Sequence, residues 1–592
     1  MPLTERLLLW LNLQARRIST RQLTFILAIV VGIVSGGVTC IFEWFLGLIK
    51  EGLTSWFPKE EVGWLYLLYP MVGIILASLF VRFIVKDDIS EGVTKVLKAM
   101  STSSSQIKPH NCYSSVVGGA LTIGFGGSVG PEAPIVLTGA AIGSNIGRLM
   151  KLNYRNLTLM LACGVAAALS AIFKAPITGV IFVMEILLLD MSMTAIIPLI
   201  ISSVTAVTLT FFVRGFEPML SAGTIGDLSF SHIPIYLLLA IVCGLMCYYF
   251  MNTNFRVKGL IDRLGKPWKK WVVGGLALGV MIMLFPPLYG EGYGIFHHFM
   301  TGDVTAVFDN SGFYDLRHNE WVVLGYLVAI MFVKVVAMAV TNASGGVGGT
   351  FAPSLFVGAF VGAITAYVAN TWFAADLSIA AFSLVGMAGL MSGVMKAPLT
   401  AVFLIAEISS AYQLFVPLML VSCVSYVINR YLEPDSIYTK TLRKKGQLLT
   451  HDKDQAVSVV LSVRSLVETN MLTVGEFDTL GDMVVRVIPH TTRNIFPVLG
   501  EGDKLLGVVE FDKLRKDMFD QSKYPNSVRR YMTPPADVIL EGESASSVLE
   551  KFEQTGAWNL PMTTREGVYI GFVSKSRILT AYREKLKEMT QE

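Results

Sequence analysis

The sequence predicts an all-α polytopic membrane protein with two inverted-repeat halves of broken and tilted helices, followed by a C-terminal α/β pair. Three observations predict it. Mean hydropathy is +0.57. With 53% hydrophobic and only 16% charged residues, the chain is far less charged than the roughly 25% of a soluble domain. Second, one template occurs twice: Gly126-Gly127-Ser128-Val129-Gly130-Pro131-Glu132-Ala133-Pro134 returns as Gly345-Gly346-Val347-Gly348-Gly349-Thr350-Phe351-Ala352-Pro353, at an offset of 219. Gly139 and Gly143 keep that offset against Gly358 and Gly362, and Lys174-Ala175-Pro176-Ile177-Thr178 with Glu185 recurs as Lys396-Ala397-Pro398-Leu399-Thr400 with Glu407, at 222. Third, near residue 441 charges become frequent and apolar runs shorten to strand length.

Residues 1–21 read as a basic, amphipathic cytoplasmic helix (Arg6, Arg16, Arg17, Arg21) without the apolar core of a cleavable signal peptide. The membrane domain spans 22–446, its repeats at about 22–215 and 233–443. Apolar runs at Leu23–Ile49, Trp64–Val85, Ile196–Val213, Ile233–Met251, Trp321–Val340 and Leu414–Ile428 approach or exceed the roughly 20 residues that cross a bilayer. Gly-punctuated segments such as Gly130–Leu149 and Phe351–Trp372 are expected to tilt or cross partway, giving more helices than full crossings. Arg16, Arg17 and Arg21 before the first run, and Lys440, Arg443, Lys444 and Lys445 after the last, place both ends in the cytoplasm. Cys40, Cys112, Cys163, Cys243, Cys247 and Cys423 lack paired spacing and read as buried thiols, with no metal site. A net charge of +4 gives no reason to expect nucleic acid as a partner.

A glycine break followed by a helix leaves about four unpaired N–H groups at the new helix start. With roughly half a positive charge from the macrodipole, they bind an anion without a basic side chain. Gly130-Pro131 and Gly349-Thr350 both stand before such helices. If the halves oppose each other, both starts face one point inside the membrane, which favours a small anion over a cation. Glu132 is the anomaly, because a carboxylate at membrane depth costs about 2.5–3.5 kcal/mol or more and is functional by default. Ionised, it can fill the anion site itself; protonated, it can leave. The bland alternative is a solvent-facing first-turn acid. The matched residue in the second half is Phe351.

The tail, 447–592, has its own repeat. Ser462-Val463-Arg464-Ser465-Leu466-Val467 returns as Ser527-Val528-Arg529-Arg530-Tyr531-Met532, Phe496-Pro497-Val498 as Leu560-Pro561-Met562, and Gly507-Val508-Val509 as Gly571-Phe572-Val573. Each unit is expected to run from a short strand through a helix to an apolar strand ending at proline, then a hairpin and a closing helix. This resembles a tandem pair of CBS domains at about 463–517 and 527–584. The resemblance implies an adenine nucleotide in the cleft, with Glu510 and Ser574 at the ribose-contacting places; Lys513 and Arg577 depart from the usual acid or amide. A ligand-free dimerisation module is the alternative.

Over residues 20–445 the motifs resemble those of the CLC family of chloride channels and chloride/proton exchangers. Gly130-Pro131-Glu132-Ala133-Pro134 is similar to the family's G-x-E-G-P, which implies that Glu132 is the external gating and proton-transfer glutamate and that Gly130 lies at the ion. Gly349-Thr350-Phe351-Ala352-Pro353 is similar to G-x-F-x-P, implying chloride contacts at the N–H groups of Thr350 and Phe351. Tyr438 matches the tyrosine whose hydroxyl faces the same ion. The family's G-S-G-x-P is replaced by Ser90-Glu91-Gly92-Val93-Thr94, so Glu91 is expected to turn away and Ser90 or a backbone N–H to supply the contact, which leaves chloride or nitrate open. Ile186 stands where exchangers commonly carry an internal glutamate, and Glu185, paired by the repeat with Glu407, reads as a helix-end or buried hydrogen-bond contact.

The resemblance implies a homodimer that moves chloride through a pore in each subunit, by proton exchange or by passive conduction. A CBS-regulated divalent-cation transporter would want clustered carboxylates, whereas the membrane acids Glu132, Glu185, Asp190 and Glu407 are scattered. No hydrolase, metalloprotease or P-loop motif suggests an enzyme, and His297-His298 in a loop is too little for a metal.

Overall fold

Nine helices among the described residues are long and apolar enough to cross a bilayer. The computed structural model describes residues 19–56, 65–102, 104–187, 193–220, 232–444, 463–543 and 545–590. Most of the expected N-terminal amphipathic helix, and Asp190, lie outside these. The chain divides into two units, Met1–Leu448 and Leu449–Glu592.

The regular elements among the described residues of the first unit are helices. Its first half holds α1 (Thr20–Trp56), α2 (Leu65–Leu79), α3 (Gly92–Thr102), α4 (Asn111–Gly124), α5 (Glu132–Leu149), α6 (Tyr154–Phe173), α7 (Pro176–Ile186) and α8 (Met193–Arg214). The second holds α9 (Ile233–Asp262), α10 (Pro267–Leu284), α11 (Tyr293–Met300), α12 (Glu320–Ala343), α13 (Phe351–Phe373), α14 (Ile379–Met395), α15 (Pro398–Ser409) and α16 (Phe415–Leu432), and α17 (Thr439–Lys444) closes the unit. The repeat offset of 219 relates the ends of α4 and α12 and the starts of α5 and α13; 222 relates the ends of α6 and α14 and the starts of α7 and α15, and of α8 and α16. Gly126 and Gly345 end the incoming helices with φ of 95° and 103°, a region closed to most side chains, so the template needs glycine there.

Reciprocal hydrogen bonds show how the halves meet. Thr122 Oγ1 accepts from Val347 N at 2.9 Å, and Thr341 Oγ1 accepts from Ser128 N at 3.3 Å. Glu185 accepts from Leu399 N, Thr400 N and Thr400 Oγ1 at the start of α15, at 2.7–3.1 Å. Glu407 accepts from Ile177 N, Thr178 N and Thr178 Oγ1 at the start of α7, at 2.6–3.0 Å. Contacts in which i meets j and j's equivalent meets i's are what a two-fold relation produces. Both glutamates are therefore helix caps. Hydrogen bonds to a charged acceptor are worth about 1.5–3 kcal/mol. Glu407→Ala and Glu185→Ala are each expected to lose about 2 kcal/mol, to equal extents, with anion affinity unchanged. Thermal unfolding in detergent with chloride titration checks this; unequal losses would contradict the equivalence.

Two readings are corrected. All six cysteines are free, but Cys423 on α16 is exposed and Cys40 and Cys112 are only half-buried, so three of the six are not the buried thiols expected. His297 and His298 belong to the last turn of α11, not to a loop.

In the second unit each half builds a three-stranded sheet of the same topology. β1 (Val474–Gly475) pairs parallel with β2 (Ile495–Leu499), which pairs antiparallel with β3 (Leu505–Glu510). β4 (Ile539–Leu540), β5 (Asn559–Thr563) and β6 (Tyr569–Ser574) repeat this, with the register shift at the equivalent step, Val498/Leu499 and Met562/Thr563. The middle strands run past proline instead of ending at it. Pro497 faces Val508, whose N–H and C=O turn outward to Thr533, so no ladder bond to β3 asks for the missing proline N–H. Pro561 faces Phe572, turned outward to Glu468 in the same way.

Candidate functional site

The two glycine breaks clasp each other. Gly130 N–H donates to Gly349 O at 3.0 Å and Gly349 N–H donates to Gly130 O at 2.7 Å, so the starts of α5 and α13 are tied together deep in the unit. Each helix then carries proline at its third position, Pro134 and Pro353, which removes one donor that the helix could not use. The free first-turn donors belong to Glu132, Ala133, Phe351 and Ala352. The expected contact from Gly130 is corrected here: its N–H is committed to the clasp, and its part is to let the backbones approach.

Glu132 is the first residue of α5 and only 2% exposed, which excludes the solvent-facing alternative. Tyr293 O–H donates to its Oε1 at 2.9 Å. Its Oε2 is buried with no hydrogen-bond partner among the described residues. That oxygen lies over the clasp: a Cβ built on Gly349 would sit 2.9 Å from it, and one on Gly130 would overlap it. The N–H groups of Glu132 itself and of Ala352 face the carboxyl. The side chain thus fills the mouth between the two helix starts.

Phe351 is buried, its ring stacked on Phe173 with centroids 5.2 Å apart. Thr350 Oγ1 is buried. Tyr438 is buried, with its hydroxyl beside Thr350 and in electrostatic reach of Glu132. The chain after α16 is held inward by Ile437 N–H on Val394 O at 3.3 Å and by Thr94 Oγ1 on Tyr438 O at 3.4 Å. Glu132 thus meets Gly130 at the clasp, and Tyr438 lies beside Thr350 within electrostatic reach of Glu132.

Ser90 is a second correction. Its hydroxyl donates to Asp88 Oδ1 at 2.6 Å, the one proton a serine has to give. Glu91 does turn away, onto Lys258. The segment is still placed at the site, because Gly92 packs so tightly on Ala133 O that any side chain would overlap it. What remains for a ligand is the first-turn N–H groups of α3.

Four residues at the site escaped the sequence reading. Tyr293 carries no signal in its neighbourhood. Glu291, Glu43 and Lys334 are charges beside or within apolar runs, and two of them were legible on that ground alone. Lys334 is fully buried. Its Nζ donates to Ser128 Oγ at 2.9 Å and to Gly290 O at 3.1 Å and lies 4.7 Å from the Phe356 ring centre. It anchors the first glycine break from beneath. A cation held against the first glycine break favours an anion bound at the helix starts that break positions. Lys334→Met is therefore expected to weaken chloride binding several-fold by calorimetry; unchanged affinity would limit Lys334 to packing.

In the second unit, Glu510 is exposed at the end of β3, and Ser574 holds the equivalent place on β6, where its Oγ accepts from Arg577 N at 3.3 Å. Arg577 pairs with Glu468, as does Arg493.

The model of the voltage gated chloride channel family matches residues 72–430, more than half of the chain. The chain belongs to the voltage gated chloride channel family. The CBS domain model matches residues 528–584. A putative chloride channel protein ClcB-like of Ralstonia nicotianae is 27% identical over 68% of this chain and 91% of its own length. An H(+)/Cl(-) exchange transporter ClcA of Salmonella paratyphi B is 26% identical over 75% of this chain and 93% of its own. The fold is similar to that of a slow cyanobacterial Cl-/H+ antiporter, with TM-score 0.61 and 23% identity over 72% of this chain and 98% of that one. It is also similar to that of a eukaryotic CLC transporter, with TM-score 0.61 and 15% identity over 94% of this chain and 99% of that one.

Proposed function

We propose that this integral, multi-pass membrane protein exchanges chloride for protons, with Glu132 as the gate and proton carrier. One observation carries the reading: a buried carboxylate occupies the mouth between two clasped helix starts, where N–H donors favour an anion. As a carboxylate Glu132 competes with chloride there; as a neutral acid it can withdraw, so each exchange of occupant moves a proton. Thr350, Phe351 and Tyr438 complete the chloride contacts from the other half. Other small anions, nitrate among them, fit the same donors.

The reading extends to a homodimer with one pathway in each subunit, both termini cytoplasmic, lipid around the apolar helices, and a tail that regulates the membrane unit. An adenine nucleotide between the two units of the tail, near Glu510 and Ser574, is its proposed ligand. Passive chloride conduction is the second reading, favoured by Ile186, which is buried at the end of α7 where exchangers commonly carry a glutamate.

Purified protein in liposomes separates the two. Under a pH gradient, exchange moves the reversal potential away from that of chloride and drives protons uphill; a channel ignores the gradient. Removing residues 447–592, or adding adenine nucleotide to the full chain, is expected to change the rate and leave ion preference alone.

A further inference from the structure

A cavity of about 290 Å³ lies beside Glu132. Its wall includes Pro131, next to Glu132, and Tyr293, whose hydroxyl touches Glu132. It also carries two carboxylates and two cations that neither the exchange reading nor the repeat template uses: Glu43, Glu291, Lys50 and Arg214. Glu43 is ion-paired with Arg214. Glu291, 7% exposed, meets Lys50 Nζ at 2.6 Å from the cavity side, and the buried Lys334 acts on it electrostatically from beneath.

We propose that Glu291 is a second proton-transfer residue, which passes protons from this vestibule through Tyr293 to Glu132. The inference rests on the exchange reading above. Glu291 and Tyr293 are two residues apart on one segment, and Lys334 ties that segment, through Gly290 O, to Ser128 of the glycine break. In the step, the O–H bond of the Glu291 carboxylic acid breaks and its proton moves along cavity water to the Tyr293 oxygen. The proton already on Tyr293 crosses its 2.9 Å hydrogen bond to Glu132 Oε1. Tyr293 ends neutral, Glu291 a carboxylate and Glu132 a carboxylic acid, free to leave the mouth to chloride. The Glu291 carboxylate then rests against Lys50 and Lys334 until a vestibule proton arrives. Lys50, 36% exposed, has water to turn into at that moment. Glu43 faces the same cavity with its charge balanced by Arg214, and Tyr289 is the remaining titratable group on the wall.

Chloride and proton fluxes of Glu291→Gln, Glu291→Asp and Tyr293→Phe in liposomes test this, beside wild type. Glu291→Gln is expected to lower proton and chloride flux together at least tenfold, because Glu132 stays seated in the mouth until a proton reaches it, while calorimetric chloride affinity, an equilibrium quantity, holds within twofold. Glu291→Asp restores most of the proton flux. Tyr293→Phe shows the same loss as Glu291→Gln, and the double variant loses no more than either alone. Unchanged proton flux in Glu291→Gln, or losses that multiply in the double variant, would overturn the relay. Should Glu291→Gln fail to bind chloride, Tyr293→Phe decides alone: full proton flux there overturns the pathway. A wild-type protein that moves no protons sinks the exchange reading itself, and the relay with it.

Discussion

Glu132→Gln is expected to reduce proton movement below about one hundredth of wild type while chloride continues to flow. Glutamine keeps the size of the side chain and an oxygen that accepts from Tyr293, but it neither ionises nor carries a proton across. The effect has a second, thermodynamic part. In the wild-type structure the carboxyl fills the mouth over Gly130 and Gly349, so chloride binds only the fraction of molecules in which it has withdrawn. Apparent affinity scales with the competent fraction; a carboxylate seated about nine-tenths of the time hides roughly tenfold of affinity. The variant is therefore expected to bind chloride about tenfold more tightly and to lose the pH dependence of that binding. Flux in liposomes and calorimetry at two pH values check both parts. Proton flux that survives removes Glu132 from the mechanism, and unchanged affinity means the carboxyl does not compete.

The repeat was the most legible part of this chain, because glycine and proline fix backbone geometry through local sterics that sequence displays directly. Gly126 and Gly345, and the helix starts at Glu132 and Phe351, could be aligned before any coordinates. The same holds for Glu185 and Glu407: matched acids on matched helices implied a shared structural task, and each caps the other half. What sequence did not show was contact across the two-fold. Nothing near Gly130 says that its N–H is taken by Gly349, because an offset gives equivalence and not distance. Ser90 misled for a related reason: its nearest acceptor, Asp88, is two residues away, and a local Asx-type bond of that kind competes with any ligand. Tyr293 reaches Glu132 only because Lys334 holds the preceding turn at Gly290. In the tail, Pro497 looked like a strand end because its missing N–H is a local fact, whereas the outward pairing of Val508 that excuses it is not.

The second large effect concerns the crossings that aim the two helix starts. Where α5 crosses α6, Gly139 and Gly164 touch backbone to backbone: a Cβ on Gly164 would overlap Gly139 O, and one on Gly139 would overlap Gly164 O. At the equivalent crossing of α13 and α14, Gly386 and Gly358 are in the same relation. Lipid supplies little hydrophobic drive between helices, so close packing over small residues carries much of their association. A methyl at either crossing meets main chain, which cannot rotate away, and the helices must separate. Overpacking costs about 1–3 kcal/mol, and both sites belong at the upper end. Gly164→Ala and Gly386→Ala are expected to lower the unfolding temperature by comparable amounts. They should also weaken chloride binding, because moving α6 or α14 moves the start of α5 or α13 and strains the clasp between Gly130 and Gly349. Gly325→Ala is the control: it lies on α12 with open space around its Cα, and replacing a mid-helix glycine there is expected to gain about 0.5–1 kcal/mol. If Gly164→Ala unfolds at the wild-type temperature with wild-type affinity, the crossings do not position the site. A stability loss confined to one of the pair would mean the halves do not share the strain that their two-fold contacts imply.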